Sequence, residues 1–227
     1  MTDQATMVRL LRTEWRLKLL LTVWLNLWVC VPYYILQHWQ FFPQTLMPPS
    51  RIDEWIGFHP GAVGIYLSLY LLMPIAPLLM TESGDLRRYA AGMMGTSAIA
   101  TLIFIFWPTG CPRPVALDPV VAYQLLIAID RPLHALPSLH ASFAVFSALC
   151  GQVAFKEFRG ARWFQTVLWL WVGFILYAAL ATKQHVLIDL VAGGLLGLLA
   201  FLVAFKCNFR VSSRALPLAK TSTQETS

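Results

Sequence analysis

His185 and Asp189 stand four residues apart in the run Thr182-Lys183-Gln184-His185-Val186-Leu187-Ile188-Asp189. At that spacing two side chains share one face of a helix. A carboxylate in an apolar helix costs roughly 2.5–3.5 kcal/mol at the centre of a bilayer, so it marks a function or a pairing. His185 is within reach as the partner. A carboxylate bound to one ring nitrogen fixes the imidazole tautomer and leaves the other nitrogen's lone pair free to attack. His185 is therefore a candidate nucleophile; the bland alternative is a buried pair that only locks the last two helices together.

Two further segments carry compatible chemistry. Ala135-Leu136-Pro137-Ser138-Leu139-His140-Ala141-Ser142 reads as the entry to a helix, with Ser138 as its cap and amides that attract phosphate. His140 there is a candidate general acid for a leaving oxygen, or an ordinary interfacial histidine. Trp107-Pro108-Thr109-Gly110-Cys111-Pro112-Arg113-Pro114 breaks a helix and holds Arg113 in an extended segment. A guanidinium suits phosphate because its planar fork donates two parallel hydrogen bonds. Lys183 and Arg131 are the other cations close to these histidines in sequence, and Asp130 is a candidate partner for Arg131. Two histidines and an aspartate also compose a facial metal triad, but the surrounding Arg and Lys repel a cation, so no metal and no other cofactor is expected.

The elements that must position these residues are membrane helices. The chain is 58% hydrophobic and 12% charged, against about 25% charged in soluble domains. A bilayer core of roughly 30 Å needs about 20 apolar residues in a helix. Six segments approach this: Leu17–Leu36, Gly61–Met80, Tyr89–Trp107, Ala141–Phe155, Trp163–Ala181 and His185–Phe205. An all-α polytopic bundle of six transmembrane helices follows, because open strands in lipid would leave backbone groups unpaired. The expected organisation is a cytoplasmic segment 1–16, one membrane domain 17–206 and a cytoplasmic tail 207–227. The first span reads as a retained signal anchor, since no small-residue cleavage site follows it.

Each span reverses the chain, so Lys and Arg can be counted on alternate sides. One side holds Arg9, Arg12, Arg16, Lys18, Arg87, Arg88, Lys156, Arg159, Arg162, Lys206, Arg210, Arg214 and Lys220; the other holds only Arg51, Arg113, Arg131 and Lys183. The positive-inside rule then puts both termini in the cytoplasm and His140, His185 and Asp189 at the opposite face. The net charge of +6 is explained by this bias and forms no stripe with stacking aromatics, which argues against a nucleic-acid partner. The four cysteines show no CxxC pair or disulfide framework.

Taken together, the three segments resemble the motifs of the type 2 phosphatidic acid phosphatase / vanadium haloperoxidase superfamily, from about Trp107 to Gly194. His185 and Asp189 match the His-x-x-x-Asp of its last motif, Pro137, Ser138 and His140 its Pro-Ser-Gly-His with Leu139 for Gly, and Arg113-Pro114 the end of its first motif. The resemblance implies six spans, a phosphohistidine on His185 oriented by Asp189, His140 as leaving-group acid, and a substrate phosphate held by Arg113 and Ser138. Two cations of the family pattern are replaced: Phe106 stands at the Lys position, and Ala178-Ala179 at a Ser-Arg. Lys183 and, further out, Arg131 are the candidates to replace them.

The Pro-Ser-Leu-His and Thr-Lys-Gln-His forms look most like the branch containing inositol phosphorylceramide synthases and many bacterial membrane relatives. That likeness implies an integral protein of a bacterial inner (plasma) membrane. The expected activity is lipid-phosphate or lipid-diphosphate hydrolysis, with transfer of a phospho-head group to an alcohol as the alternative; a non-enzymatic scaffold is a third reading. A lipid phosphate and membrane lipids are the expected partners, and oligomeric state is left open.

Overall fold

The computed structural model describes residues 12–114, 120–155 and 160–207. The expected cytoplasmic segment and tail therefore lie largely outside the described residues, as do Arg9, Lys156, Arg159, Arg210, Arg214 and Lys220.

The described chain is mostly helical. Helix α1 (Trp15–His38) is followed by a two-residue strand β1 (Thr45–Leu46) and a short helix α2 (Arg51–Ile56). The next apolar stretch, Pro60–Leu79, is a chain of short pieces: a 3-10 turn, then α3 (Val63–Leu67), α4 (Leu69–Leu72) and α5 (Ile75–Leu79). Helix α6 (Ser83–Phe106) leads into strand β2 (Thr109–Gly110) and helix α7 (Val121–Ile129). Then come α8 (Leu139–Phe155), α9 (Ala161–Ala181) and α10 (Leu187–Phe201), the last continuing as a π-helical turn, Leu202–Cys207.

Among the described residues, five stretches are long and apolar enough to cross a membrane: Trp15–His38, Pro60–Leu79, Ser83–Phe106, Ala161–Ala181 and Leu187–Phe205. A further apolar helix, α8, runs for 17 residues up to the edge of the described segment. Of the six expected spans, five thus meet this length among the described residues, and α8 stands at the place of the other.

The break-up of the second stretch has a local cause. Pro77 cannot donate to the carbonyl of Met73, and that freed oxygen accepts the Tyr89 hydroxyl of α6 at 2.8 Å. The Ser68 hydroxyl donates to the Ile65 carbonyl at 2.6 Å, competing for a helical acceptor at the α3–α4 junction.

Hydrogen bonds between helix ends show which ends lie together. β1 pairs in parallel with β2, so the C-terminal ends of α1 and α6 meet. Ala135 donates to the Thr109 carbonyl at 3.0 Å, Ser138 to the Asp189 carbonyl at 3.0 Å and His59 to the Ala181 carbonyl at 2.7 Å. The starts of the Pro60–Leu79 stretch, α8 and α10 therefore join the end of α9 at this same face. At the opposite face the Lys18 ammonium reaches the Leu78 carbonyl at 3.0 Å.

Helix α8 is the centre of the bundle, with Ala141, Ser142, Phe143, Ala144, Phe146, Ser147, Ala148, Cys150 and Gly151 buried. Its closest approach is to α10. A Cβ on Gly193 would collide with the Ser138 carbonyl oxygen and lie 3.0 Å from the Ala141 Cβ, and one on Gly197 would collide with the Ser142 backbone. Asp189, Gly193 and Gly197 recur every four residues, so one face of α10 lets the two backbones touch as small-residue faces do in membrane helices.

Candidate active site

The start of α10 is built by a turn that departs from the sequence expectation. His185 is not a helical residue: α9 ends at Ala181, Lys183 takes a left-handed conformation with φ of 54°, and Val186 is the extended residue that precedes α10. The amides of Gln184 and His185 both bond to the Ala179 carbonyl, at 3.1 and 3.3 Å. The helical i, i+4 argument therefore fails, because the histidine stands on the turn. The pairing survives for a different reason. Asp189 is the third residue of α10, and its Oδ2 accepts the Val186 amide at 3.0 Å. A carboxylate at this helix start satisfies an orphan donor and complements the helix dipole, which fixes it beside the turn that carries His185.

His185 Nδ1 lies 3.6 Å from Asp189 Oδ2, an ion-pair distance longer than a hydrogen bond. Both residues are buried, Asp189 completely. Nδ1 of His185 and Oδ1 of Asp189 have no hydrogen-bond partner.

His140 is the second residue of α8, and Ser138 caps that helix through a 3.2 Å bond from the Ala141 amide to Ser138 Oγ. The Ser138 amide itself is committed to the Asp189 carbonyl, which ties the two site-bearing helix starts together. The His140 ring stacks on Tyr66, with centroids 3.9 Å apart and planes within 10°, and meets the edge of Tyr70 at 6.1 Å. Tyr66 Oη is 3.1 Å from His140 Nδ1; between nearly parallel rings this approach comes from above the imidazole plane, so we read it as stacking rather than a directed hydrogen bond. His140 Nε2 is buried and unpartnered. The centroids of the His140 and His185 rings are 6.3 Å apart.

Arg113 follows β2, as the proline-broken segment predicts, and is paired with Asp130. Its Nη2 lies 3.2 Å from Asp130 Oδ2, and its Nη1 donates to the Asp130 carbonyl. Asp130 also accepts from Tyr33 Oη at 2.6 Å and Gln37 Nε2 at 3.1 Å, both on α1. The suggested Asp130–Arg131 pair is thus corrected: Arg131 turns away, its Nη1 donating to the Gln37 carbonyl at 3.2 Å. Arg113 Nε is buried without a partner. Lys183 Nζ donates to the Asp53 carbonyl at 2.5 Å.

Cys111 lies within the field of the same charges. Burial pushes its thiol up to about 12, Asp189 and Asp53 add to the rise, and Arg113 and Lys183 oppose it. It packs beside Val186 and Ala135, which brings the β2 segment, the α8 entry and the His185 turn into one cluster. Among the described residues no group of three or more His, Cys, Asp and Glu side chains is arranged to hold a metal ion.

Residues 52–203, spanning this whole cluster, match a family model described as the PAP2 superfamily. The chain belongs to the PAP2 superfamily. No curated protein and no solved structure matches it. Membership in this superfamily points to phosphoester chemistry of the phosphatase type. His140, His185, Asp189, Arg113, Lys183, Ser138 and Arg131 all fall inside the matched residues. The motifs did not reveal Tyr66, Asp130 as the partner of Arg113, or Asp53; each meets its partner across a long stretch of chain, and none stands in a local pattern that signals its role.

Proposed function

We propose that the protein is a membrane lipid-phosphate or lipid-diphosphate phosphohydrolase acting through a phosphohistidine on His185. The observation that carries this reading is a pair of imidazoles 6.3 Å apart, His185 buried beside a buried carboxylate and His140 half-buried with its Nε2 buried and unpartnered. That separation accommodates one phosphoryl group between the rings. Asp189 orients His185 through Nδ1, the 3.6 Å gap closing to a hydrogen bond when substrate is bound. His185 Nε2 attacks phosphorus in line as the ester P–O bond breaks, and His140 gives its Nε2 proton to the departing oxygen. Water then attacks the phosphohistidine, His140 takes its proton, and the N–P bond breaks to release phosphate. Arg113, Lys183 and the first amides of α8 after Ser138 hold the phosphoryl oxygens, where fixed donors supply much of the rate. Arg131, bound to α1, supports the Arg113 segment from outside.

The same proposal includes α8 as a sixth crossing. Its 17 described residues alone span about 25 Å, and its central position spares it from having to match the full lipid thickness. Transfer to an alcohol shares the first half-reaction and is the alternative that the resemblance to inositol phosphorylceramide synthases favours. Incubation of the purified protein with a ³²P-labelled panel of phosphatidate, phosphatidylglycerophosphate and prenyl diphosphates, with and without candidate alcohols, tests both. Acid-labile label on the protein that is absent from His185→Ala supports the intermediate. Transfer exceeding hydrolysis would replace the hydrolase by the transferase, and wild type as inert as His185→Ala would remove both.

A further inference from the structure

The turn that carries His185 is held from outside its own helix pair by one buried residue, Asp53 of α2. Asp53 Oδ2 accepts from the Ser50 amide and hydroxyl, both at 2.7 Å, and the Asp53 amide donates back to Ser50 Oγ at 3.3 Å. This reciprocal box starts α2. The other carboxylate oxygen is not spent on α2: Oδ1 accepts the amide of Leu187, the first residue of α10, at 2.9 Å. The main-chain carbonyl of Asp53 takes Lys183 Nζ at 2.5 Å. Residue 53 therefore grips the chain two residues before His185 and two residues after it. Its 3% exposure keeps both contacts out of competition with water.

We propose that Asp53 is a positioning residue for the nucleophile, bracketing the Lys183–Leu187 turn so that the His185 ring is held against Asp189. The inference rests on the phosphohistidine reading for its catalytic consequence. The bracket acts through the placement of an acceptor and not through charge. The amides of Lys183, Gln184 and His185 close the turn back onto α9, and with Lys183 left-handed the contacts that join the turn to α2 are those of Asp53. Without the Leu187–Asp53 bond the turn gains freedom while α10, anchored by Asp189 and its glycine face, stays in place.

Two conservative variants separate this role from a merely structural one. Asp53→Glu keeps the charge and the residue type favoured at the third position of a capping box, but moves the carboxylate by about one bond length. Asp53→Asn keeps an acceptor for the Leu187 amide and loses half of the box with Ser50. The expected pattern is crossed. The Glu variant should retain its melting temperature and lose kcat by roughly tenfold to hundredfold, as a misplaced reacting group does, with KM little changed. The Asn variant should melt a few degrees lower and keep kcat within about threefold. Hydrogen exchange over Lys183–Leu187 should accelerate in the Glu variant and not in the Asn variant, a readout that needs no turnover. Wild-type exchange in the Glu variant, or equal kcat losses in both variants, would overturn the bracket. Inertness of wild type and His185→Ala alike, with the exchange pattern intact, would instead remove the catalytic reading and leave the bracket.

Discussion

At the scale of single residues, the proposed mechanism gives the two histidines separable tasks, and substrates can tell them apart. His185 beside Asp189 is the proposed nucleophile, while His140, with its ring set by Tyr66 and Tyr70 and Nε2 unpartnered, is the proposed proton donor. General-acid help is typically worth about 10²–10⁴-fold and matters least when the leaving group departs unaided. His140→Ala should therefore lose on that order with an alkyl phosphate and far less with a nitrophenyl phosphate, whereas His185→Ala should lose both. Steady-state rates on the two substrates check this, and equal losses in His140→Ala would take the acid role from it. A third histidine sits in the loop before α8. His134 is 6% exposed between Tyr33 and Phe104. Burial pulls its pKa from 6.5 down to about 4, with Asp130 opposing the fall. Between these values the unfolded chain binds a proton that the native chain does not, so stability is full above pH about 6.5 and declines as pH falls towards about 4. Melting curves in detergent across that range should show the decline, and His134→Phe should flatten it.

At the scale of elements, the site depends on the contact between α8 and α10, which two glycines permit. Gly193→Ala places a methyl against the Ser138 carbonyl, and that carbonyl is backbone at a helix cap that cannot swing aside. The variant should push the His140 end of α8 away from Asp189, lowering both the melting temperature and the phosphatase rate. Overpacking of this kind typically costs about 1–3 kcal/mol. Gly92→Ala is the control: its Cβ meets the Phe146 ring, a side chain, so it should cost stability while leaving turnover per folded molecule closer to wild type. The motifs for α8 and α10 were legible because cap, histidine and carboxylate lie within a few residues of one another. Ser138 does cap α8, and Arg113 does follow a proline break. What local spacing cannot carry is a partner far along the chain. His185 looked helical because His-x-x-x-Asp fits a helix, yet Lys183 turns the chain left-handed first. Asp130 looked like the neighbour's partner, yet Arg113 reaches it from across the loop, and Asp53 gave no signal of its tie to the His185 turn because Lys183 and Leu187 lie more than a hundred residues away. The smooth apolar run from Gly61 likewise hid the breaks that Ser68 and Pro77 impose.

At the scale of the whole molecule, the hydrogen-bonded helix ends divide the protein into two faces, and the charges divide with them. Arg51, Arg113, Arg131 and Lys183 belong to the face that gathers the site, and three of them are occupied there by Asp130, the Gln37 carbonyl or the Asp53 carbonyl. Arg12, Arg16, Arg87, Arg88 and Arg162 belong to the other face. Translocating basic residues is disfavoured, so the cations retained at the site face are explained by what they bind there, and the remainder set the orientation. The site should then face away from the cytoplasm. Single cysteines introduced at Glu54, beside Asp53 on α2, and at Gly160, before α9, report the two faces in a background in which the native cysteines have been replaced. A membrane-impermeant maleimide added to intact cells should label the residue 54 cysteine, while the residue 160 cysteine should react only after the membrane is opened. The reverse pattern would turn the molecule over, and labelling of both in intact cells would mean that α8 does not cross, because the chain must traverse the bilayer an odd number of times between the two positions. That parity makes the experiment a test of the short helix as well as of the orientation: Pro60–Leu79, α6 and α8 give three crossings, and without α8 there are two.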